Sequence, residues 1–138
     1  MAAAIGAIAQ IAAAQQAAQA HRASGQAEAV ALKDKAEQAE NKAQDEEILR
    51  LQNIRRTIST QRAYWAAAGI DPSTGSPDTI ASRSYETFEL DQGAALINTR
   101  SQIRSYNKAA DSAIKVANIK ARGSILTGAM GAAQTWNT

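Results

Sequence analysis

Two long stretches of the chain carry apolar side chains at three- and four-residue steps. This spacing places them on one face of an α-helix, whose period is about 3.6 residues. In the second stretch, four of them follow one another at seven-residue intervals from Leu96 to Ala117. We predict that each helix has a seam, made on the first by Leu32, Leu51, Ile54, Ile58 and Trp65 and on the second by Phe88, Leu96, Ile103, Tyr106 and Ile114.

The segment between the two stretches has the residues of a turn. Gly69 follows three alanines and is predicted to end the first helix as its C′ residue. Asp71-Pro72 and Thr74-Gly75 are turn dipeptides. Ser76 and Pro77 then suit the N-cap and the first position of a second helix. The chain is therefore predicted to fold as a helical hairpin.

Both ends of the chain lack charged side chains, unlike the stretches beside the turn. Ser24-Gly25 interrupts the first helical pattern, because a glycine inside a helix costs about 1 kcal/mol relative to alanine. We expect five segments: an uncharged, Ala-rich N-terminal helical segment (1–24), a first long amphipathic helix (25–68), a turn (69–76), a second long helix (77–122) and a Gly/Ala-rich C-terminal segment (123–138).

Alanine accounts for 33 of the 138 residues, whereas there is one Phe and there are two Val. Burial of alanine contributes little, since stabilisation scales with apolar area at roughly 25 cal/mol per Å². Alanine does favour helices and lets helix backbones approach closely. We therefore predict an all-α fold, a long antiparallel and coiled-coil-like hairpin that oligomerises with copies of itself.

The residues needed for common catalytic and metal sites are missing from the sequence. There is no Cys, and His21 is the one His. Glu46 and Glu47 are adjacent and point to different helix faces, so they cannot act together as acid and base. The turn lacks the Lys of a phosphate-binding loop. We predict a protein that is not an enzyme, with no catalytic residue, cofactor site or metal site.

Basic side chains are concentrated on the second helix. Arg100, Arg104 and Lys108 lie four residues apart, and Lys115 extends this basic stripe. A line of positive charge can follow DNA phosphates, but the stripe lacks aromatic side chains for base stacking. We expect either non-specific contact with DNA phosphates or pairing with the acids at 45–47 of a neighbouring copy.

The uncharged ends carry apolar side chains without forming a conventional membrane span. The first twenty residues have about the length of a span, but four glutamines interrupt them. We expect these ends either to contact a host membrane or to pack at the tip of an assembly. The candidate contact residues are Ile5, Ile8, Ile11, Ile125, Leu126, Met130 and Trp136.

Several short motifs lie between residue 61 and residue 131: Ala66-Ala67-Ala68-Gly69, Gly75-Ser76-Pro77, Leu90-Asp91, Ile103-Arg104, Tyr106-Asn107 and Ile125-Leu126-Thr127-Gly128-Ala129. With these motifs the region resembles the small internal virion proteins of short-tailed bacteriophages, which are DNA-ejection or internal core proteins.

This resemblance implies a non-enzymatic protein that is packaged inside the capsid and ejected at infection. It would assemble as a homo-oligomeric ring in the host cell envelope, as part of a conduit for the genome. Other internal virion proteins or the portal would be its partners. Two alternatives fit the same helical pattern: a structural core or neck adaptor of a virion, and a hairpin subunit of a secretion filament.

Overall fold

A computed structural model of the protein describes residues 2–135. Within them the chain forms two α-helices, α1 (Ala2–Ala67) and α2 (Ser76–Thr135), and no strand. The helices pack against each other as a helical hairpin, which confirms the predicted all-α fold. Contacts divide the chain into two compact units. Unit 1 contains Met1–Ala36 and Arg104–Thr138, and unit 2 contains Glu37–Ile103.

Backbone hydrogen bonds end α1 at the predicted glycine. The N–H of Ile70 donates to the Trp65 carbonyl at 2.9 Å, and the N–H of Gly69 donates to the Ala66 carbonyl at 3.0 Å. These two bonds make a Schellman motif, which requires a left-handed residue at C′. Gly69 has a φ of 73°, so its predicted role as C′ is confirmed.

The rest of the turn is organised by Asp71 and Gly75. The Asp71 carboxylate accepts hydrogen bonds from the Ser73 hydroxyl at 2.6 Å and from the Ser73 N–H at 2.9 Å. These bonds, the hydroxyl first, lower the pKa of Asp71 because they favour its charged form. Gly75 has a φ of 67°. Its carbonyl accepts the Thr79 N–H at 3.2 Å, and α2 therefore begins at Ser76.

The contact between the helices in unit 1 consists of small side chains. Its buried apolar residues are Ala7, Ala18, Ala29, Ala36, Ala110, Ala117, Ala121 and Ala132. Ala7, Ala18 and Ala29 lie eleven residues apart on α1, and Ala110, Ala121 and Ala132 do so on α2. An eleven-residue repeat corresponds to about 3.67 residues per turn, close to the period of a straight α-helix.

The contact between the helices in unit 2 includes large side chains. Ile58 on α1 is 3% exposed, and Ala81 and Pro77 on α2 are also buried. Ile54, Trp65 and other large side chains are half-buried around them. Large side chains remove more apolar area from water than alanine does, so unit 2 gains more stabilisation for each contact.

Both helices continue through the segment boundaries that were drawn from the sequence. α1 passes through Gly25 and α2 passes through Gly123. Gly25 is buried in the contact of unit 1, where the packing of the helices offsets its low helix propensity.

Candidate assembly surfaces

Two glycines bring the helix backbones of unit 1 close together. A Cβ added at Gly25 would overlap the Ala117 methyl group and lie 3.1 Å from the Ala113 carbonyl oxygen. A Cβ added at Gly128 would overlap the methyl group of Ala14 in the same way. These contacts also fix the register of unit 1, because Gly25 lies level with Ala117 and Gly128 with Ala14.

Polar side chains connect the two helices of unit 2. The Gln92 side-chain amide on α2 donates a hydrogen bond to the Glu47 carboxylate on α1. Beside it, Glu46 accepts a hydrogen bond from Arg50 at 3.2 Å and lies 3.9 Å from the Lys42 ammonium group. A groove of about 350 Å³ runs along this part of unit 2, with Arg100 and Leu96 in its lining.

Many large apolar side chains of the chain point into solvent. The most exposed in unit 2 is Leu90, at 76%, and Ile97 on the same face of α2 is 67% exposed. Ile48 and Leu49 are more than half exposed on α1, on its side away from α2. Ile119, Leu126 and Met130 are about two thirds exposed in unit 1. Small side chains therefore lie inside the helix contact of unit 1 while large ones lie outside it.

The chain exposes more surface than a compact globular protein of its mass. It exposes 10190 Å², whereas a globular monomer of 14.5 kDa exposes about 6,900 Å². The difference follows from a fold of two helices, in which each helix has only the other to pack against.

Most of the predicted seam residues lie between the helices of their own unit. Ile58 is buried, and the half-buried ones are Leu32, Leu51, Ile54, Trp65, Phe88, Ile103 and Tyr106. Leu96 and Ile114 lie at the edges of the contact, 47% and 36% exposed. The reason is the period: a seven-residue spacing drifts around a helix whose contact repeats every eleven residues.

The predicted tip residues that the structure describes lie on the surface of unit 1. Ile8, Ile11, Ile125, Leu126 and Met130 are all exposed. The Ile5 side chain and Trp136 lie outside the described residues. Among residues 2–135, neither helix contains a stretch apolar and long enough to cross a bilayer.

The predicted basic stripe is exposed along α2. Arg100 belongs to unit 2, and Arg104, Lys108 and Lys115 belong to unit 1. His21 is half-buried beside Gly25 in a groove of unit 1. No group of three or more acidic or His side chains able to hold a metal ion occurs in the part of the chain that the structure describes.

Sequence reasoning missed the faces of unit 2 that point away from the helix contact. We define the outer α2 face as Glu86, Leu90, Gly93, Ala94 and Ile97, and the outer α1 face as Asp45, Ile48, Leu49, Gln52 and Arg56. All ten residues are exposed. The sequence feature that could have identified the outer α2 face is the pair Leu90 and Ile97, which lie seven residues apart with Gly93 between them.

Gly93 lies in open space on the outer α2 face. A Cβ added there would meet no atom within 4 Å, so the packing of the chain on itself gives no reason for a glycine inside this helix. Comparisons with protein families, with curated proteins and with solved structures returned no match to the chain.

Proposed function

We propose that this protein is a non-enzymatic structural subunit that works as an assembly of identical copies. The observation that carries the proposal is the distribution of its apolar side chains. Alanine fills the helix contact of unit 1, whereas Leu90, Ile97, Leu126 and Met130 point into solvent. Large apolar side chains that lie together on a surface are typical of sites that other molecules cover.

We further propose that the assembly is a ring that forms part of the conduit through which a short-tailed bacteriophage delivers its genome. The resemblance of residues 61–131 to internal virion proteins supports this role. The protein would reside inside the capsid with other internal virion or portal proteins, and would move to the host envelope at infection. Its basic stripe on α2 suits non-specific contact with DNA phosphates.

The apolar surface of unit 1 suits contact with a membrane by several copies together. Ile8, Leu126 and Met130 are exposed there, but neither described helix is apolar enough to cross a bilayer by itself. Helices with a polar face can line a closed, water-filled assembly in a membrane, because that face is then turned away from lipid. The proposed conduit therefore requires oligomerisation before or during insertion.

The test is mass photometry of the purified chain, combined with dye leakage from anionic vesicles. We expect discrete oligomers and leakage. Leu126→Gln with Met130→Gln should abolish leakage while the oligomers persist. Val30→Gln with Val116→Gln is the matched control, since both valines are exposed apolar residues within the charged stretches. A monomer at all concentrations would overturn the proposal, and oligomers that leave vesicles intact would favour a structural virion adaptor.

A further inference from the structure

We propose that neighbouring copies assemble by packing the outer α2 face of one copy against the outer α1 face of the next, side by side and in the same orientation. This inference rests on the proposed self-assembly and specifies its interface. The occupant of the outer α2 face is unit 2 of a second copy.

One large apolar side chain of each face, Leu90 on α2 and Leu49 on α1, lies at the same level of unit 2. The hydrogen bond between Gln92 and Glu47 sets that level. With a rise of 1.5 Å per residue, Leu90 and Leu49 both lie about 3 Å from it toward the turn. Ile97 lies about 8 Å from it in the other direction. When two copies stand side by side at equal height, Leu90 of one copy therefore meets Leu49 of the next, whereas Ile97 lies about 10 Å farther from the turn.

Gly93 explains how two helices could come close at this point. It lies between Leu90 and Ile97 on the outer α2 face, and the space beside it is open. In helix pairs, a small residue between two large ones forms a hole that accepts a side chain from the facing helix. Ile48 and Leu49, more than half exposed at this level, are the side chains that would enter it.

An acid on the outer α2 face and a base on the outer α1 face lie within one helical turn of each other in height. Glu86 lies about 9 Å from the Gln92 level toward the turn, and Arg56 lies about 13.5 Å from it in the same direction, so their heights differ by about 4.5 Å. Glu89 and Arg55 flank this pair. Neither Glu86 nor Glu89 forms an ion pair among the described residues. Arg83 is level with Arg56, so two positive charges would face each other there. This pair is the mismatch in the charge pattern.

In unit 1, taken by itself, complementary side chains also lie at equal levels of the two helices. Gly25 is level with Ala117, and Asp34 and Lys108 each lie nine residues from that pair in the same direction, so an exposed acid on α1 matches an exposed base on α2. Likewise Gln16 on α1 is level with Leu126 on α2, given the Gly128–Ala14 contact. The outward surface of α1 around Gln16 carries small alanines, which suits a large side chain opposite.

The proposed contact can repeat from copy to copy. The two outer faces lie on opposite sides of the contact between the helices of unit 2, so a copy that uses one face leaves the other free. Such a head-to-tail interface generates a closed ring when the rotation between copies closes, and an open array when it does not. A symmetric dimer through two outer α2 faces would stop at two copies.

The first test is a charge-reversal cycle measured by the concentration dependence of assembly. Glu86→Arg and Arg56→Glu should each weaken assembly by about tenfold, because each places like charges opposite one another. The combined variant Glu86→Arg with Arg56→Glu should recover most of the wild-type affinity. Arg83→Glu should tighten assembly, since it removes the mismatch with Arg56.

The matched control uses charges at the sides of the same helices. Asp91→Arg and Arg62→Glu change the net charge by the same amounts, and neither residue belongs to an outer face. We expect each to change assembly less than threefold. Circular dichroism confirms that every variant keeps its helix content. Additive weakening in the combined variant would overturn the interface while leaving self-assembly intact, whereas a wild-type chain that never assembles would overturn the proposed function as well.

The second test is cross-linking, which is unambiguous because the chain contains no Cys. One preparation carries Leu49→Cys and another carries Ala94→Cys. With a short bis-maleimide reagent, the mixture should give a cross-linked pair that contains one chain of each variant. A chain that carries both substitutions should give a ladder of multimers. Cross-linking of the Ala94→Cys preparation alone, at the same yield as the mixture, would indicate the symmetric dimer and overturn the proposal.

Discussion

Units 1 and 2 use the same pair of helices but are held together differently. In unit 2 a large side chain, Ile58, is buried between the helices. In unit 1 the buried residues are alanines, Ala110 with 0% exposure among them, together with Gly25. Unit 2 therefore depends on the apolar area of a few side chains, and unit 1 depends on the closeness of two backbones. Unit 2 should therefore be destabilised most by substitutions that shorten a buried side chain, and unit 1 by substitutions that enlarge one.

The largest effect is expected from truncation in unit 2. Ile58→Ala should lower the free energy of unfolding by about 2–4 kcal/mol, because it removes a buried side chain and leaves a cavity. Urea denaturation at one fixed protein concentration measures it, since association makes apparent stability depend on concentration. Val30→Ala, at an exposed position of the same helix outside the proposed interface, is the control. A loss for Ile58→Ala no larger than for this control would contradict the account of unit 2.

Unit 1 should respond to enlargement. Gly25→Leu should destabilise the protein by about 1–3 kcal/mol, because its side chain would overlap Ala117 and force the helices apart. At Gly123 a Cβ meets nothing within 4 Å, and Gly123→Leu should stabilise α2 through its higher helix propensity. Thermal unfolding of the two variants gives opposite signs if unit 1 is closely packed. Equal shifts would show that the backbones are not in close contact.

A smaller effect is expected at the turn that joins the helices. Gly69→Ala should cost about 1 kcal/mol, because alanine is disfavoured at the φ of 73° that ends α1. Gly6→Ala, at a helical position with open space, should be neutral or stabilising. The difference between the two midpoints of urea unfolding isolates the backbone strain. A neutral Gly69→Ala would mean that α1 can end in another way.

The smallest effect concerns the pH dependence of the turn. The hydrogen bonds from Ser73 lower the pKa of Asp71 in the folded chain below its ordinary value of 3.8. A lowered folded-state pKa contributes stability that is present above the unfolded value and is lost as the pH falls through the folded value. NMR titration should show the pKa of Asp71 rising toward its ordinary value in Ser73→Ala. An unchanged titration would contradict the role of Ser73.

The hairpin could be predicted because its signals are local. Gly69 and Asp71 specify the turn through backbone conformations that each of them favours, and the structure follows them. The start of α2 lies one residue earlier than predicted, because the Gly75 carbonyl accepts the Thr79 N–H and makes Ser76 the first helical residue. Helix formation is likewise favoured by the alanine content. In these parts sequence and structure agree because few distant contacts are needed to decide the outcome.

The phase of the helix contact was harder to predict. Leu96 continued a seven-residue series, yet it is 47% exposed. Alanine is common on every side of α1, so the small residues of the contact do not stand out from those on the surface. Gly25 suggested an interruption, because its role depends on Ala117, which is ninety-two residues away in the sequence.

The candidate assembly surfaces were partly visible in the sequence. The basic stripe and the apolar residues near the ends could be named because charge and hydropathy are properties of single residues. The outer faces of unit 2 could not be named. Leu90 and Ile48 become neighbours of a second chain only when the level of each helix is known, and the hydrogen bond between Gln92 and Glu47 supplies that level.

The alanine repeat of unit 1 does little to favour one alignment of its two helices over another. Sliding α2 by eleven residues, or three turns, would put Ala121 in the place of Ala110 and Ala132 in the place of Ala121. Gly25 and Gly128 are the exceptions, because each admits its alanine partner only at the observed alignment. These two glycines therefore specify the alignment of the helices in unit 1. A chain with alanine at both positions should keep its helix content but adopt several alignments of its two helices. Broadened methyl signals in its NMR spectrum would show this.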